Sequence, residues 1–329
     1  MKNLPKTAFR MTQERIVLLL LILVLVTLSL WVPGFANADN LLSLLQTVSI
    51  LGILGLGMAI VIIGRGIDLS MIATLVVPPA LLLQLVQDGQ SLPSAFLVAL
   101  GLTLVFGAVN GWLIAYAEIA PLFVTLATGL LLAGIGQMSF FTLEVIQWSP
   151  KMDSLLWMGQ GRTIFGVPNA IFMFVLVTLI VGYFMRGLRT GRFIYALGDN
   201  PHAARTSGVP TRPLMVLQYV LSALIAALAG LILAASVGST TTRLFNSTMI
   251  YDVILVVILG GIGLSGGRGG VLNVVLGTVL IGTLVNAMTI LDLGYQMQNL
   301  IKGGILLLAI AVDSIVNPRN EETAQQGDI

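Results

Sequence analysis

From Ile16 to Val32 the chain reads IVLLLLILVLVTLSLWV, 17 positions with no polar face. A half-buried strand would alternate apolar and polar residues, and a surface helix would keep a polar stripe. This run does neither. Stretches of the same kind recur as far as residue 313, broken at clusters of proline, glycine and charge. Divided there, the pattern predicts about ten spans, near 16–34, 43–63, 69–86, 93–116, 121–142, 169–185, 214–236, 250–262, 271–290 and 297–313. A bilayer core of about 30 Å takes roughly 20 helical residues. The expected fold class is therefore all-α, a polytopic membrane protein of about ten transmembrane helices. A transmembrane barrel is excluded because its strands alternate lipid-facing and lumen-facing residues. The expected organisation is a short cytoplasmic segment over 1–15, one transmembrane domain over 16–313 and a cytoplasmic tail over 314–329. The basic start, the apolar run and Ala-Asn-Ala at 36–38 have the outline of a signal peptide. The run is longer than the usual core of about 7 to 15 residues, so it is read as a retained first span.

Composition agrees, with 57% hydrophobic and only 9% charged residues, far from an ordinary soluble domain. The absence of cysteine excludes disulfides, thiolate metal sites and cysteine nucleophiles. With His202 as the one histidine, no metal site is expected, and core filling explains the scattered methionines better than a metal path does. With the N-terminus inside, the inner loops and tails hold Lys2, Lys6, Arg10, Arg15, Arg65, Arg186, Arg189, Arg192, Arg205, Arg212, Arg268 and Arg319. The outer side keeps Lys151, Arg162, Arg243 and Lys302. This asymmetry predicts both termini in the cytoplasm, with Trp31, Trp148 and Trp157 near the outer interface. The net charge of +2 is thus a topology signal, and no nucleic-acid partner is expected.

Two hydrophilic segments exceed turn length. The outer one, 143–168, reads either as a surface or re-entrant helix covering the bundle or as a docking surface for a soluble partner. The inner one, 186–212, contains a two-turn helix over 201–207: Asn200 is a good N-cap, Pro201 suits the first helical position, and Gly208 suits the residue past the end. So short a helix needs support, either from the cytoplasmic ends of the spans or from another polypeptide. Where the span at 250–262 gives way to that at 271–290 lies GGIGLSGGRGG, 260–270, with a literal G-x-G-x-x-G in Gly261, Gly263 and Gly266. A dinucleotide site needs a βαβ unit around that motif and an acid about 20 positions on. Here the flanks are membrane spans, and the stretch reads as a tight inner turn.

The segments YALGDNPHAARTSGV, YVLSALIAALAGLILAA, YDVILVVILGGIGLSGGRGGVLNVVLGTVLIGTLVNA and IKGGILLLAIAVDSI resemble the permease subunits of bacterial ribose-, galactose- and xylose-type ABC importers. So do IIGRGIDLS at 62–70 and PLFVTLATG at 121–129. The resemblance covers about 42–313 in matching order. It implies a multi-pass inner-membrane bundle of about ten helices working beside a second permease copy or a related permease. The partners it implies are a periplasmic solute-binding protein and a cytoplasmic ATPase subunit that binds the ATP, leaving this chain without a cofactor or a catalytic residue. It departs from the family pattern at Arg65, which stands where one of a glycine pair is usual, at Met-Ile-Ala 71–73, and at Ala133, near a usual arginine. These departures bear on the solute and leave the architecture alone.

The resemblance makes the helix at 201–207 the element seated in a cleft of the ATPase. The ATPase-coupling residues expected are Gly198, Asn200, Ala203, Ala204, Arg205 and Gly208, with Gly266, Gly267 and Arg268 of the glycine turn. For the solute path the candidates are Asp68, Ser70, Asn110, Gln46, Gln137 and Asn286, polar positions in or beside apolar spans that are costly facing lipid. Each has a structural alternative. Arg65 and Asp68 would share a helix face and pair, and the amides would bond between helices. Small residues at four-residue spacing, Ala223, Ala227 and Leu231 beside Ala226, Gly230 and Ala234, allow close helix packing. An ion-coupled carrier is the rival function. It would place acids deep in its spans, whereas Glu118, Glu144, Asp252 and Asp292 fall near predicted span ends, leaving Asp68 and Asp313. No charge ring or filter suggests a channel, no acid–base–nucleophile cluster suggests an enzyme, and the chain has no G-x-x-x-x-G-K-[ST] phosphate loop of its own.

Overall fold

The computed structural model describes residues 13–139, 144–163 and 165–316. Most of the expected N-terminal segment and tail, with Lys2, Lys6, Arg10 and Arg319, lies outside them. The helices are α1 Gln13–Trp31, α2 Ala38–Ile63, α3 Met71–Gln87, α4 Leu92–Ala115, α5 Pro121–Ser139, α6 Asn169–Gly187, α7 Arg189–Asp199, α8 Pro201–Thr206, α9 Thr211–Val237, α10 Met249–Leu259, α11 Val271–Ile290 and α12 Tyr295–Val316. Among the described residues seven helices, α1, α2, α4, α5, α6, α9 and α11, are long and apolar enough to cross a membrane; α3 and α10 are shorter apolar helices.

Two features depart from the expected plan. The segment 143–168 contains a strand, β1 Val145–Gln147, and a 3-10 helix over Pro150–Met158 rather than a surface α-helix. β1 pairs antiparallel with β2, Ser239–Thr241, with Val145 opposite Thr241. Three-residue strands separated by some ninety positions leave no alternation long enough to read. The second feature is α7, an amphipathic helix that buries Gly191, Ile194, Leu197 and Gly198 while Arg189 and Arg192 stay exposed.

At the centre stands α2, 83% of whose span is buried, against 6% for α1. Around it pack α6, α9, α10 and α11, while α1 lies outside on α11 and α12 packs on α10. The largest helix pair is α4 with α9, and its closeness has a sequence cause. On α4, Gly107 and Gly111 face α9 so tightly that a Cβ at Gly107 would lie 2.7 Å from Val220 Cα and one at Gly111 would overlap Val216. This is small-residue packing of the membrane-helix kind. The α9 stripe Ala226, Gly230 and Ala234 is buried, as expected. Gly230 abuts the Leu75 carbonyl of α3, which a Cβ would overlap. That carbonyl lacks its ordinary helical donor because Pro79, four residues on, has no N–H. At one end of the bundle gather the 64–70 linker, the α4–α5 turn, α7 and α8, and the 260–270 loop. The strands and both 3-10 helices occupy the other.

Candidate functional site

Three segments meet where α2 ends. Gly267 N donates to Ile63 O at 2.8 Å, and Gly198 lies so close to the same carbonyl that a Cβ would overlap it. Gly267 has φ +71 and faces Asp199, whose Cα would be 2.7 Å from a Cβ at this position. Arg65 then crosses the junction: its Nε donates to Ser265 O at 2.9 Å and its NH2 to Asp199 O at 3.1 Å. Tyr195 of α7 donates to Gly269 O at 3.0 Å; burial holds its phenol above the usual tyrosine range, so it remains a donor at neutral pH. The glycine turn is therefore no nucleotide cradle. Its backbone is consumed by contacts with α2 and α7.

From this junction α8 projects. Asn200 caps it, its side chain accepting from Ala203 N at 2.9 Å, and Gly208 follows with φ +82. Of the expected coupling residues, Asn200, Ala203, Arg205, Gly208 and Arg268 are exposed. Gly198, Ala204 and Gly266 are buried and Gly267 is half-buried. Gly198 and Gly266 are spacers within the junction, and Ala204 is buried.

The segment between the expected spans 43–63 and 69–86 is not helical, so the helix face on which Arg65 and Asp68 would pair does not form. Gly64, Arg65 and Gly66 turn the chain, with Arg65 at φ +67, and Arg65 and Asp68 point to different partners. Asp68 is 2% exposed. Its Oδ1 accepts from Ser70 N at 3.1 Å and Ser70 Oγ at 2.5 Å, and its Oδ2 from Ser222 Oγ at 2.7 Å. Asn110 Nδ2 donates to Ser70 Oγ at 2.8 Å. The neighbouring Ile67 carbonyl accepts from Tyr219 OH and Thr125 Oγ1, both at 3.4 Å, and Gly129 of α5 leaves room for Ser70, with 3.1 Å from a Cβ to Ser70 Cα. Thus the short linker ties α4, α5 and α9 together, and the expected Arg65–Asp68 pair is replaced by two separate sets of bonds. A buried carboxylate that receives several donors avoids the cost of an unpaired charge.

The other polar candidates lie elsewhere. Asn286 and Asn40 exchange reciprocal amide bonds of 3.0 and 2.9 Å between α11 and α2. Gln46 is half-buried on α2, and Gln137 is exposed on α5. Ser222 was open to discovery by the rule that selected Asn110, since it and Gln218 are polar residues inside an apolar span. Ser222→Ala is expected to cost about 1–3 kcal/mol by stranding one Asp68 oxygen, read as a lower unfolding temperature of the purified protein; an unchanged temperature would remove Ser222 from the network.

One ion pair joins α10 to α12, with Asp252 in the first turn of α10, near a span end as expected. Lys302 Nζ lies 2.7 Å from Asp252 Oδ1, with side-chain exposures of 12% and 21%. Lys302 is seven residues into α12, roughly 10 Å along its axis. Thr248 adds bonds to Tyr295 and Asn299 of α12. The side chain of Asp313 lies outside the described residues.

Residues 40–310 match the family model described as branched-chain amino acid transport system / permease component. The chain is 33% identical to the ribose import permease protein RbsC of Escherichia coli strain K12, covering 93% of this chain and 95% of the relative. It is 32% identical to the galactofuranose transporter permease protein YtfT of the same strain, over 94% and 92%. The fructose import permease protein FrcC of Rhizobium meliloti is 30% identical, over 90% and 84%. No solved structure matches the chain.

Proposed function

The chain belongs to the family described as branched-chain amino acid transport system / permease component, and on that premise we propose that it carries a sugar or sugar-like solute through the inner membrane as the permease subunit of a bacterial ABC importer. The subunit is not itself an enzyme. The sugar reading rests on near full-length relatives whose names specify ribose, galactofuranose and fructose import or transport. In the working complex a periplasmic binding protein delivers the solute, a second permease completes the pathway, and separate ATPase subunits bind and hydrolyse ATP. The chain crosses the membrane about ten times with both termini in the cytoplasm, a topology supported by the arginines on the α7–α8 side.

One observation carries the coupling role: α8 is a capped, outward helix too short to persist alone, yet its base is fixed to α2 by backbone contacts with no flexible side chain between. A push on α8 therefore reaches the central helix directly. The exposed face of Asn200, Ala203 and Arg205, with Arg268 beside it, is the surface for the ATPase.

The cysteine-free chain makes the test simple. A single cysteine at Ala203, and separately at Arg268, should crosslink to single cysteines on the ATPase subunit in an actively transporting complex. Arg268 is exposed, whereas the neighbouring Gly267 is held in the left-handed region against Asp199 and would not accept a side chain. No crosslink from either site would reject the docking assignment. Uptake that continued without the ATPase would reject the importer reading itself.

A further inference from the structure

We propose that Arg65 is the positioning residue that transmits movement of α7 and α8 to the Asp68 network, so that it couples ATP hydrolysis to solute movement without touching either; the proposal rests on the importer reading above. Arg65 is the one side chain in a turn otherwise made of glycine. Gly64 is crowded by the Gln218 amide and Gly66 by the Tyr219 hydroxyl, so neither neighbour has room for a side chain. The Arg65 side chain leads away from α9, across Gly266, to the backbone carbonyls of Ser265 and Asp199.

Its backbone lies in the left-handed region, φ +67, which penalises a side-chain-bearing residue relative to glycine. A non-glycine residue held there is over-determined by its surroundings, and such positions gather at switch regions. The over-determining contacts are the two carbonyls, on two separate elements that belong to the α8 junction. Three and five residues further on, Asp68 and Ser70 bind α9 and α4 respectively. Displacement of Asp199 or Ser265 thus pulls the 65–70 linker, and the linker pulls on α4, α5 and α9 together. A planar guanidinium suits this task, because it presents donors in a rigid fork and holds two acceptors at fixed separation.

The test uses the complete importer in proteoliposomes, with ATP hydrolysis and sugar uptake measured in parallel. Arg65→Gly relieves the backbone strain while removing the two hydrogen bonds, opposing effects that should leave its unfolding temperature close to that of the parent chain, and it should still assemble with the ATPase. Binding-protein-stimulated uptake per ATP hydrolysed should nevertheless fall roughly five- to tenfold, the scale of a lost coupling interaction. Arg65→Lys, which keeps the charge without the fork, should lie between. If the stable glycine variant keeps the parental ratio of uptake to hydrolysis, Arg65 is only a packing residue and the proposal fails. If the parent importer itself shows no ATP-driven uptake, the importer reading fails instead.

Discussion

Gly230→Ala is expected to destabilise the permease by about 3 kcal/mol, the upper part of the range for overpacking a well-filled interior, and Gly230→Leu to prevent the folded bundle from accumulating. Ordinarily alanine is the better helix former by up to about 1 kcal/mol, so propensity argues the other way. Geometry decides. A Cβ on Gly230 would overlap the Leu75 carbonyl and would lie 3.0 Å from Pro79 Cγ. The obstacle is backbone and a rigid ring, neither of which can rotate aside as the end of a long side chain can. α9 would have to part from α3, and α9 also carries Ser222 to Asp68 and packs most widely on α4. Gly101 of α4 supplies the control, since a Cβ there meets nothing within 4 Å. Gly101→Ala should be neutral or slightly stabilising. Monodispersity by size-exclusion chromatography and thermal unfolding of the two alanine variants separate the cases; equal stability would mean that the Gly230–Leu75 approach is not tight in the folded protein.

What could be read from the sequence divides along a physical line. Long apolar runs announce buried or lipid-facing helices by composition alone, and helices α1–α6 and α9–α12 lie at the ten expected positions with ends displaced by a few residues, seven of them long and apolar enough to cross a membrane. α8 was legible because capping is local: Asn200, Pro201 and Gly208 specify both ends within nine positions. The Asp68 site was only half legible. Asp68, Ser70 and Asn110 stand out as polar residues among apolar ones, but Ser222 reaches Asp68 from 154 positions away, and no local pattern encodes that pairing. Arg65 was misplaced for a definite reason: three-residue spacing joins side chains only on a helix, and Gly64 and Gly66 end the helix before the spacing can act. Gly107 and Gly111 carried a readable small-residue motif, whereas the Pro79–Leu75–Gly230 contact needed knowledge of which helices are neighbours.

The junction and the network also explain one another. Glycines at 198, 266 and 267 let three backbones meet, so this junction is stiff where the sequence looks flexible. Beyond Arg65 the contacts change to side-chain hydrogen bonds, which can exchange partners at lower cost than a packed backbone can separate. Rigid input joined to a breakable network is the arrangement a two-state transporter needs.

A different kind of fragility attaches to α12, and it gives the second large effect. Lys302→Met should cost about 2–3 kcal/mol, less than breaking a fully buried pair, because one partner of a partly buried ion pair is removed and the other is left uncompensated. The described contacts hold α12 chiefly to α10, and Lys302–Asp252 is the polar part of that contact, supported by Thr248 with Tyr295 and Asn299. The loss comes from Asp252, not from the missing lysine. Asp252→Leu combined with Lys302→Met should therefore recover most of the stability, because a buried pair exchanged for apolar side chains is often neutral or better. Unfolding temperatures of the two single variants and the double variant in the same detergent provide the cycle. A double variant as unstable as the worse single would show that the pair contributes specific geometry rather than mutual neutralisation. A Lys302→Met variant as stable as the parent would show that water reaches Asp252 and that the pair does not anchor α12.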